Sequence, residues 1–211
     1  MTTLVVATSN RHKVSEIREL LAGSPVELVT LANWPEITAP EETGATFEEN
    51  ARAKALYYAA ATGELTVAED SGLSIDALDG APGVESARFG GVELPYPQKF
   101  ALIDAALRAK GNRESTARFV CALALADGDR VLFEARGTVE GRISPEPKGD
   151  GGFGYDPIFF FPPYGCTFAE AGDKKAAVSH RGRAFRELRA FLGRLELRDE
   201  PDAGAPEVEP V

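Results

Sequence analysis

Two adjacent carboxylates, Glu69 and Asp70, follow a short apolar run and are followed at once by Ser71 and Gly72. The run over residues 65–68 is typical of a buried β-strand, and an unpaired carboxylate is costly in such surroundings. The pair therefore indicates a bound cation, and carboxylate oxygens suit Mg²⁺ or Mn²⁺. The alternative is a loop in which the acids cap the next element. These residues alone leave both interpretations open.

The segment from Thr8 to Lys13 lies between a predicted buried strand, residues 4–7, and the start of a predicted helix. The free N–H groups and the positive dipole end of such a helix, together with a lysine, are suited to holding phosphate. Ser9 or Asn10 could instead cap the helix and leave Lys13 in solvent. The presence of hydroxyl, amide and ammonium groups at one turn favours phosphate.

A longer helix is predicted from Thr46 to Gly63. Thr46 and Glu49 have the spacing of a capping box, which is a complete structural explanation for Glu49. A metal-ligand role for Glu49 is the second interpretation. Asn50 and Lys54 lie one turn apart and are expected to share a face of this helix.

Two further segments carry groups that could bind a flat, polar ligand. Phe153 has glycines on both sides and Tyr155 close by, so its ring could stack on a ligand, although packing in the core is the simpler interpretation. Residues 174–183 bring several bases together, and His180 and Arg181 can donate hydrogen bonds in fixed directions. A solvated basic edge or a helix cap is the alternative for this segment.

The elements that must position these groups alternate between strands and helices, as in an α/β fold. We predict strands over 4–7, 26–31, 65–68, 116–126, 131–139 and 155–161, and helices over 14–21, 46–63, 96–109 and 183–195. The segment 32–45, rich in Pro, Thr and Glu, is compatible with a mobile lid. One domain is predicted over residues 1–197, because this length builds one sizeable core.

Composition and charge narrow the class of protein. The chain has 211 residues and a net charge of −10, which argues against broad binding of nucleic acid or membranes. Half of that charge belongs to the segment from Glu196 onward, where Pro, Glu and Asp dominate, and residues 198–211 are predicted to be a disordered tail. No export signal is visible, and two distant cysteines fit a cytoplasmic protein with free thiols.

Six segments of the chain resemble, in order, motifs of the inosine/xanthosine triphosphate pyrophosphatase family; they are residues 7–13, 46–54, 68–73, 80–89, 152–160 and 179–184. The resemblance implies Mg²⁺-dependent hydrolysis of ITP, dITP or XTP to the monophosphate and pyrophosphate by a homodimer, with Mn²⁺ as a substitute metal. It also implies an elongated mixed central sheet with flanking helices that form two lobes around a cleft.

Carried over position by position, the resemblance makes Asp70 the proton acceptor and places Glu49 and Asp70 at the metal. We expect Glu69 to join them, although many relatives carry a shorter aspartate there. Lys54 is expected to offset phosphate charge. The remaining substrate contacts implied by the resemblance are Thr8, Ser9, Asn10, Arg11, His12, Lys13, Ser71, Phe153, Gly154, Tyr155, Asp156, Lys175, His180 and Arg181.

Two other functions fit the same residues. A nucleotide-binding module without hydrolysis would use the same phosphate and base contacts. A pyrophosphatase acting on modified pyrimidine nucleotides would have a related fold. Substrate tests are needed to separate these alternatives.

Deletion of residues 199–211 should leave both the kinetics and the melting temperature unchanged, because a Pro- and acid-rich segment of this kind cannot build a core. Thermal melting and steady-state rates of the truncated and full chains provide the comparison. A large loss of either would show that the segment is structural.

Overall fold

The computed structural model describes residues 2–199, with side chains described through Leu195, and shows a seven-stranded mixed sheet flanked by five helices. The strands are β1 (Thr2–Val6), β2 (Val26–Thr30), β3 (Leu65–Ile75), β4 (Thr116–Asp127), β5 (Arg130–Ile143), β6 (Phe159–Phe161) and β7 (Cys166–Thr167). The helices are α1 (Arg11–Leu20), α2 (Phe47–Thr62), α3 (Tyr96–Ala109), α4 (Lys175–Val178) and α5 (His180–Asp199). The predicted α/β class with a mixed sheet is confirmed.

The order of strands across the sheet is β2-β1-β3-β4-β5-β6-β7. β1 pairs in parallel with both β2 and β3, while every pairing from β3 to β7 is antiparallel. β1 ends at Val6, opposite Val67, whereas β3 continues to Ile75. One edge of β3 is therefore left without a strand neighbour just beyond the carboxyl end of β1, the position where open α/β sheets bind ligands.

The helices cover both faces of the sheet, and neighbouring side chains of β3 pack against different helices. Val67 packs in a core with residues of α1 and α5, including Ile17 and Phe185. Ala68, the next residue, packs in a second core with α2 residues such as Ala55. This alternation follows from the pleat of a strand, in which successive side chains point to opposite faces.

Several predicted elements agree closely with the structure. α3 has its predicted bounds, and β4 and β5 form the predicted hairpin around Gly128. The capping box of α2 is confirmed, with Thr46 as the N-cap, Glu49 as its partner and Gly63 at the C-terminal end. Because local turn and cap chemistry decides these elements, a single sequence is enough to place them.

Several predicted boundaries are wrong. β3 runs through Glu69 and Asp70 instead of ending before them, because β4 pairs with it as far as Ile75. The strand predicted over 155–161 is shorter, since a 3₁₀ turn at Asp156–Ile158 precedes β6. The last helix starts at His180 and continues to Asp199.

The rest of the predicted tail, residues 200–211, lies outside the described residues. None of the helices described between Thr2 and Asp199 has the length and apolar character needed to cross a bilayer.

A buried lysine fixes the loop between β3 and α3. The side chain of Lys99 is fully buried, and its ammonium group donates to the carbonyl oxygens of Ala87, Phe89 and Gly91 at 3.0, 2.8 and 2.8 Å. All three ammonium protons thus have partners inside the protein, as burial of a charged group requires.

Replacement of Lys99 by Met should lower the free energy of unfolding by about 2–4 kcal/mol, because three buried carbonyl groups lose their donor. Urea unfolding gives the measurement. Lys110→Met is the matched control, since Lys110 is largely exposed, and it should change stability by less than about 0.5 kcal/mol. Equal stability of the two variants would contradict a stabilising role for Lys99.

Candidate active site

A cleft of about 290 Å³ lies along the free edge of β3 and is lined by residues from every motif singled out in the sequence. Of the predicted site residues, the lining includes Thr8, Ser9, Asn10, Lys13, Lys54, Glu69, Asp70, Ser71, Phe153, Gly154, Tyr155, Asp156, Lys175, His180 and Arg181. Segments separated by more than a hundred positions therefore meet at one place.

Glu69 and Asp70 border this cleft from opposite faces of the sheet. Glu69 lies on the side of α1 and α5, where it contacts Lys13 and Arg181. Asp70 lies on the side of α2, where it contacts Asn50. Both reach the cleft because the edge of the strand between them is open. Two networks of charged side chains, one on each face of the sheet, therefore border the same cleft.

On the α2 face, the Asp70 carboxylate accepts hydrogen bonds from Asn50 Nδ2 and the Ser71 N–H, each at 3.0 Å. Lys54 Nζ lies 3.8 Å from Asp70 Oδ1 and 2.5 Å from Glu42 Oε1. Burial raises the pKa of Asp70 above its ordinary value, against the opposing charge of Lys54. The pKa of Lys54 is also raised, because the charges of Asp70 and Glu42 outweigh the effect of burial.

On the α1/α5 face, Glu69 is buried among cations. Its Oε1 lies 2.8 Å from Lys13 Nζ and 3.1 Å from Arg181 Nη2, and the Cys121 thiol donates to its Oε2. Burial alone would raise the pKa of Glu69, but the charges of Arg181 and Lys13 hold it well below its usual range. Glu69 is thus a fully paired anion that fixes two cations at the cleft wall.

The end of the cleft at Phe153 combines an aromatic ring with two cations. Lys175 Nζ lies 4.9 Å from the centre of the Phe153 ring, and the Arg181 guanidinium lies 5.5 Å from it. Asp156 Oδ2 accepts from the Phe153 N–H at 2.8 Å and from Lys175 at 2.7 Å. Gly152 is required here, because a Cβ at this position would lie 2.1 Å from Asp156 Oδ2 and its φ is +69°.

His180 begins α5 and packs its ring against Phe119, with centres 4.8 Å apart and planes 16° from parallel. Burial, together with the charges of Arg181 and Lys175, lowers the pKa of His180 well below its usual value. Its imidazole is therefore neutral near pH 7. Nδ1 is buried and has no hydrogen-bond partner among the described residues.

The Thr8–Lys13 segment caps a helix and also brings a lysine to the cleft. Asn10 caps α1, since its Oδ1 accepts from the His12 and Lys13 N–H groups at 3.0 and 3.3 Å. The Lys13 side chain nevertheless turns into the cleft toward Glu69 instead of into solvent. The predicted phosphate loop therefore has its cation in place.

Three predicted site residues lie outside the cleft lining. Arg11 is exposed on the outer side of α1. His12 stacks on the Phe153 ring, with centres 5.3 Å apart and planes 10° from parallel, and so reaches the site only indirectly. Glu49 is exposed, and its Oε2 accepts from the Ala45 and Thr46 N–H groups at 2.7 and 3.3 Å.

The three predicted metal ligands lie in different surroundings. The geometry of Glu49 is that of a helix cap, because its carboxylate is committed to the capping box. Glu69 is committed to Lys13 and Arg181. Glu69 and Asp70 line the cleft, and the metal-ligand roles of Glu49, Glu69 and Asp70 stay predictions.

Two acidic residues that sequence reasoning missed complete the site. Glu42, in the segment predicted to be a lid, lines the cleft opposite Asp70, and Arg88 lies 3.6 Å from its Oε2. Glu16, on α1, accepts from Lys175 at 2.9 Å and from Arg181 at 2.6 Å. Loop residues such as Glu42 carry no periodicity, whereas Glu16 lies one helical turn after Lys13 and could have been suspected.

No three histidine, cysteine or carboxylate side chains cluster to hold a metal ion within the part of the chain that the structure describes. Asp70 and Glu42 are nonetheless bridged by the Lys54 ammonium, which shows that this pair attracts a cation. Mg²⁺ is commonly held by one or two carboxylates together with phosphate oxygens of the substrate. The donor set fits that mode of binding.

Comparison with known proteins gives a consistent result. Residues 4–191 match the model of the Ham1 family. The chain is 45% identical to a dITP/XTP pyrophosphatase of Desulforamulus reducens over 93% of this chain and 98% of that protein. It is 48% identical to a dITP/XTP pyrophosphatase of Thermus thermophilus, over 88% of this chain and 89% of that protein.

A solved structure of a HAM1 protein from Coxiella burnetii superposes with a TM-score of 0.86 and 37% identity, covering 92% of this chain and all of that one. The chain belongs to the Ham1 family.

Proposed function

We propose that this protein hydrolyses non-canonical purine nucleoside triphosphates, such as dITP, ITP and XTP, to the monophosphate and pyrophosphate. The observation that carries the proposal is the convergence of a buried carboxylate, Asp70, with Lys13, Lys54 and the Phe153 ring around one cleft. The relatives named dITP/XTP pyrophosphatase support the same reaction. A cleft of this kind has one end for charge and one for a flat base.

The triphosphate is held at the end formed by the start of α1. Lys13 and Lys54 offer cations to its oxygens, and Thr8 and Ser9 offer hydroxyl groups. A triphosphate brings about four negative charges, so these cations need a divalent metal beside them. When a ligand phosphate replaces Glu69 as a partner of Lys13, the ammonium exchanges one anion for another without becoming unpaired.

We propose Mg²⁺ as the metal, with Mn²⁺ as a substitute, held by Asp70 and Glu42 together with phosphate oxygens. When bound, it would neutralise phosphate charge and stabilise the charge that develops on the bridging oxygen as the bond between that oxygen and the α phosphorus breaks. The support is the bridging ammonium of Lys54, which marks the same pair of carboxylates as a cation position.

Asp70 is proposed to accept the proton of the attacking water. Burial raises its pKa, which increases its affinity for a proton, the direction required of a general base. Asn50 holds the carboxylate in position through the bond to Oδ2. Attack of water at the α phosphorus then gives the monophosphate and releases pyrophosphate, without a covalent enzyme intermediate.

The part of the cleft that would hold the purine base selects for an oxygen at its C6 position. Arg181 and the neutral His180 can donate to such an oxygen, and the ring of Phe153 can stack on the base. Adenine presents an amine at C6, which would face these donors without a partner inside a buried site, and that is a large penalty. Guanine shares the C6 oxygen, so its exclusion depends on the 2-position.

We also propose that the protein acts as a homodimer in the cytoplasm, as the family resemblance implies. Light scattering coupled to size-exclusion chromatography tests the oligomeric state, and a mass of about one chain would exclude the dimer.

Asp70→Asn should lower kcat by about 10²- to 10⁴-fold, because the amide cannot accept the proton. Release of pyrophosphate from dITP is the measurement. Asp129→Asn, at the exposed turn of the β4–β5 hairpin, is the matched control and should retain full activity. Turnover by Asp70→Asn at the rate of the control would remove Asp70 from the mechanism.

The same variant should be more stable than the wild type at pH 7.5. Because the pKa of Asp70 is higher in the folded chain than its reference value of 3.8, ionisation of Asp70 opposes folding at higher pH. The amide removes that cost. The difference in melting temperature should shrink as the pH falls and Asp70 takes up a proton in the wild type. A variant less stable at pH 7.5 would show that the ionised form is favoured by folding.

A substrate panel tests the function itself. Pyrophosphate release should be fast with dITP, ITP and XTP, slow with ATP and GTP, and absent without Mg²⁺. Methylated pyrimidine triphosphates belong in the same panel. Their preferred hydrolysis would favour the pyrimidine-specific alternative, and binding of dITP without any release would favour a non-hydrolytic module.

A further inference from the structure

Lys54 lies between two carboxylates at the cleft, those of Glu42 and Asp70. Its ammonium lies 2.5 Å from Glu42 Oε1 and 3.8 Å from Asp70 Oδ1, and its side chain is only 13% exposed. Long lysine side chains seldom give up solvent unless opposite charges compensate for it. The two carboxylates supply that compensation.

Both carboxylate residues also have contacts other than Lys54. Asp70 is fixed by Asn50 Nδ2 and by the Ser71 N–H. Glu42 is anchored by Arg88, whose Nη2 donates to the Glu42 carbonyl oxygen at 3.3 Å and whose Nη1 lies 3.6 Å from Oε2. Removal of the ammonium would therefore leave a pre-arranged pair of anions in a partly buried site.

We infer that Lys54 is a built-in substitute for the divalent metal, which it excludes from the free enzyme until a triphosphate draws its ammonium away. This inference rests on the proposed function, because it takes Asp70 and Glu42 as the metal-binding pair. The phosphate oxygens and the two carboxylates compete for one ammonium. Nucleotide binding would thus free the carboxylates for metal and at the same time hold Lys54 in its phosphate-binding position.

Such an exchange couples the two ligands. Metal and triphosphate would each bind more tightly in the presence of the other, because each relieves the same competition, and this coupling is reciprocal. The free enzyme would avoid holding a metal ion that has no substrate to act on. Lys54 would have two partners in turn and would never be an unpaired charge.

The experiment measures Mn²⁺ binding to the nucleotide-free protein by electron paramagnetic resonance, so that activity is not the readout. Lys54→Met should bind Mn²⁺ more tightly than the wild type, by about fivefold or more, the usual scale of such coupling. Lys13→Met is the matched control. It removes the same charge from the same cleft, but its partner is Glu69 on the other face of β3.

Two further variants sharpen the result. Lys54→Arg keeps a cation between the carboxylates and should retain the weak affinity of the wild type. Glu42→Gln in the Lys54→Met background should abolish the gain, because one of the two metal ligands is lost. Thermal melting of each variant confirms that the folded protein is compared.

The outcomes separate the inference from the proposed function. Equal Mn²⁺ affinity of Lys54→Met and Lys13→Met would overturn the inference and leave the metal site standing. Failure of every variant to bind Mn²⁺ would overturn both the metal assignment and the role of Lys54. Tighter binding by Lys54→Met alone, lost again with Glu42→Gln, is the expected result.

Discussion

The site exists because β1 ends at Val6 while its parallel neighbour β3 continues to Ile75. A longer β1 would have covered the edge of β3 and closed the cleft. On the opposite edge, β4 pairs with β3 over nearly its whole length and keeps it rigid. An open edge backed by a paired strand gives a fixed line of side chains that a ligand can reach from both faces of the sheet. Every contact in the cleft depends on this difference in strand length.

Charge balance is the second condition that the fold satisfies. The cations at the cleft all have acidic partners in the free protein: Lys13 with Glu69, Lys54 with Glu42, and Lys175 and Arg181 with Glu16. A deeply buried charge without a partner would cost too much to keep. A highly anionic ligand is therefore recognised by exchange of partners, and the binding energy is the difference between two sets of ion pairs. This exchange favours selectivity over affinity. A poorly matched ligand would break ion pairs within the protein without forming equivalent pairs with the cations.

Much of the fold and most of the site could be predicted from sequence, for physical reasons that differ between residues. Helix α3 and the β4–β5 hairpin follow from local periodicity and turn chemistry. Phe153 and Arg181 were found through motifs whose residue types suit a ligand. The separation of Glu69 from Asp70 could not be predicted, because sequence order does not show which face of a strand a side chain takes until the strand is known to continue. Glu42 was missed because a loop places its side chains through tertiary contacts, such as the pair with Arg88, that no local pattern encodes.

The pleat of β3 has a consequence for how this chain could vary. Glu69 and Asp70 serve separate networks only because neighbouring positions of a strand face opposite sides. Insertion or deletion of a single residue between Val67 and Glu69 would exchange the two faces, sending one carboxylate toward the wrong cations and apolar side chains into the charged positions. Variants that keep their function should therefore keep the length of this strand. The tip of the β4–β5 hairpin is exposed and does not line the cleft, so it should tolerate changes of length.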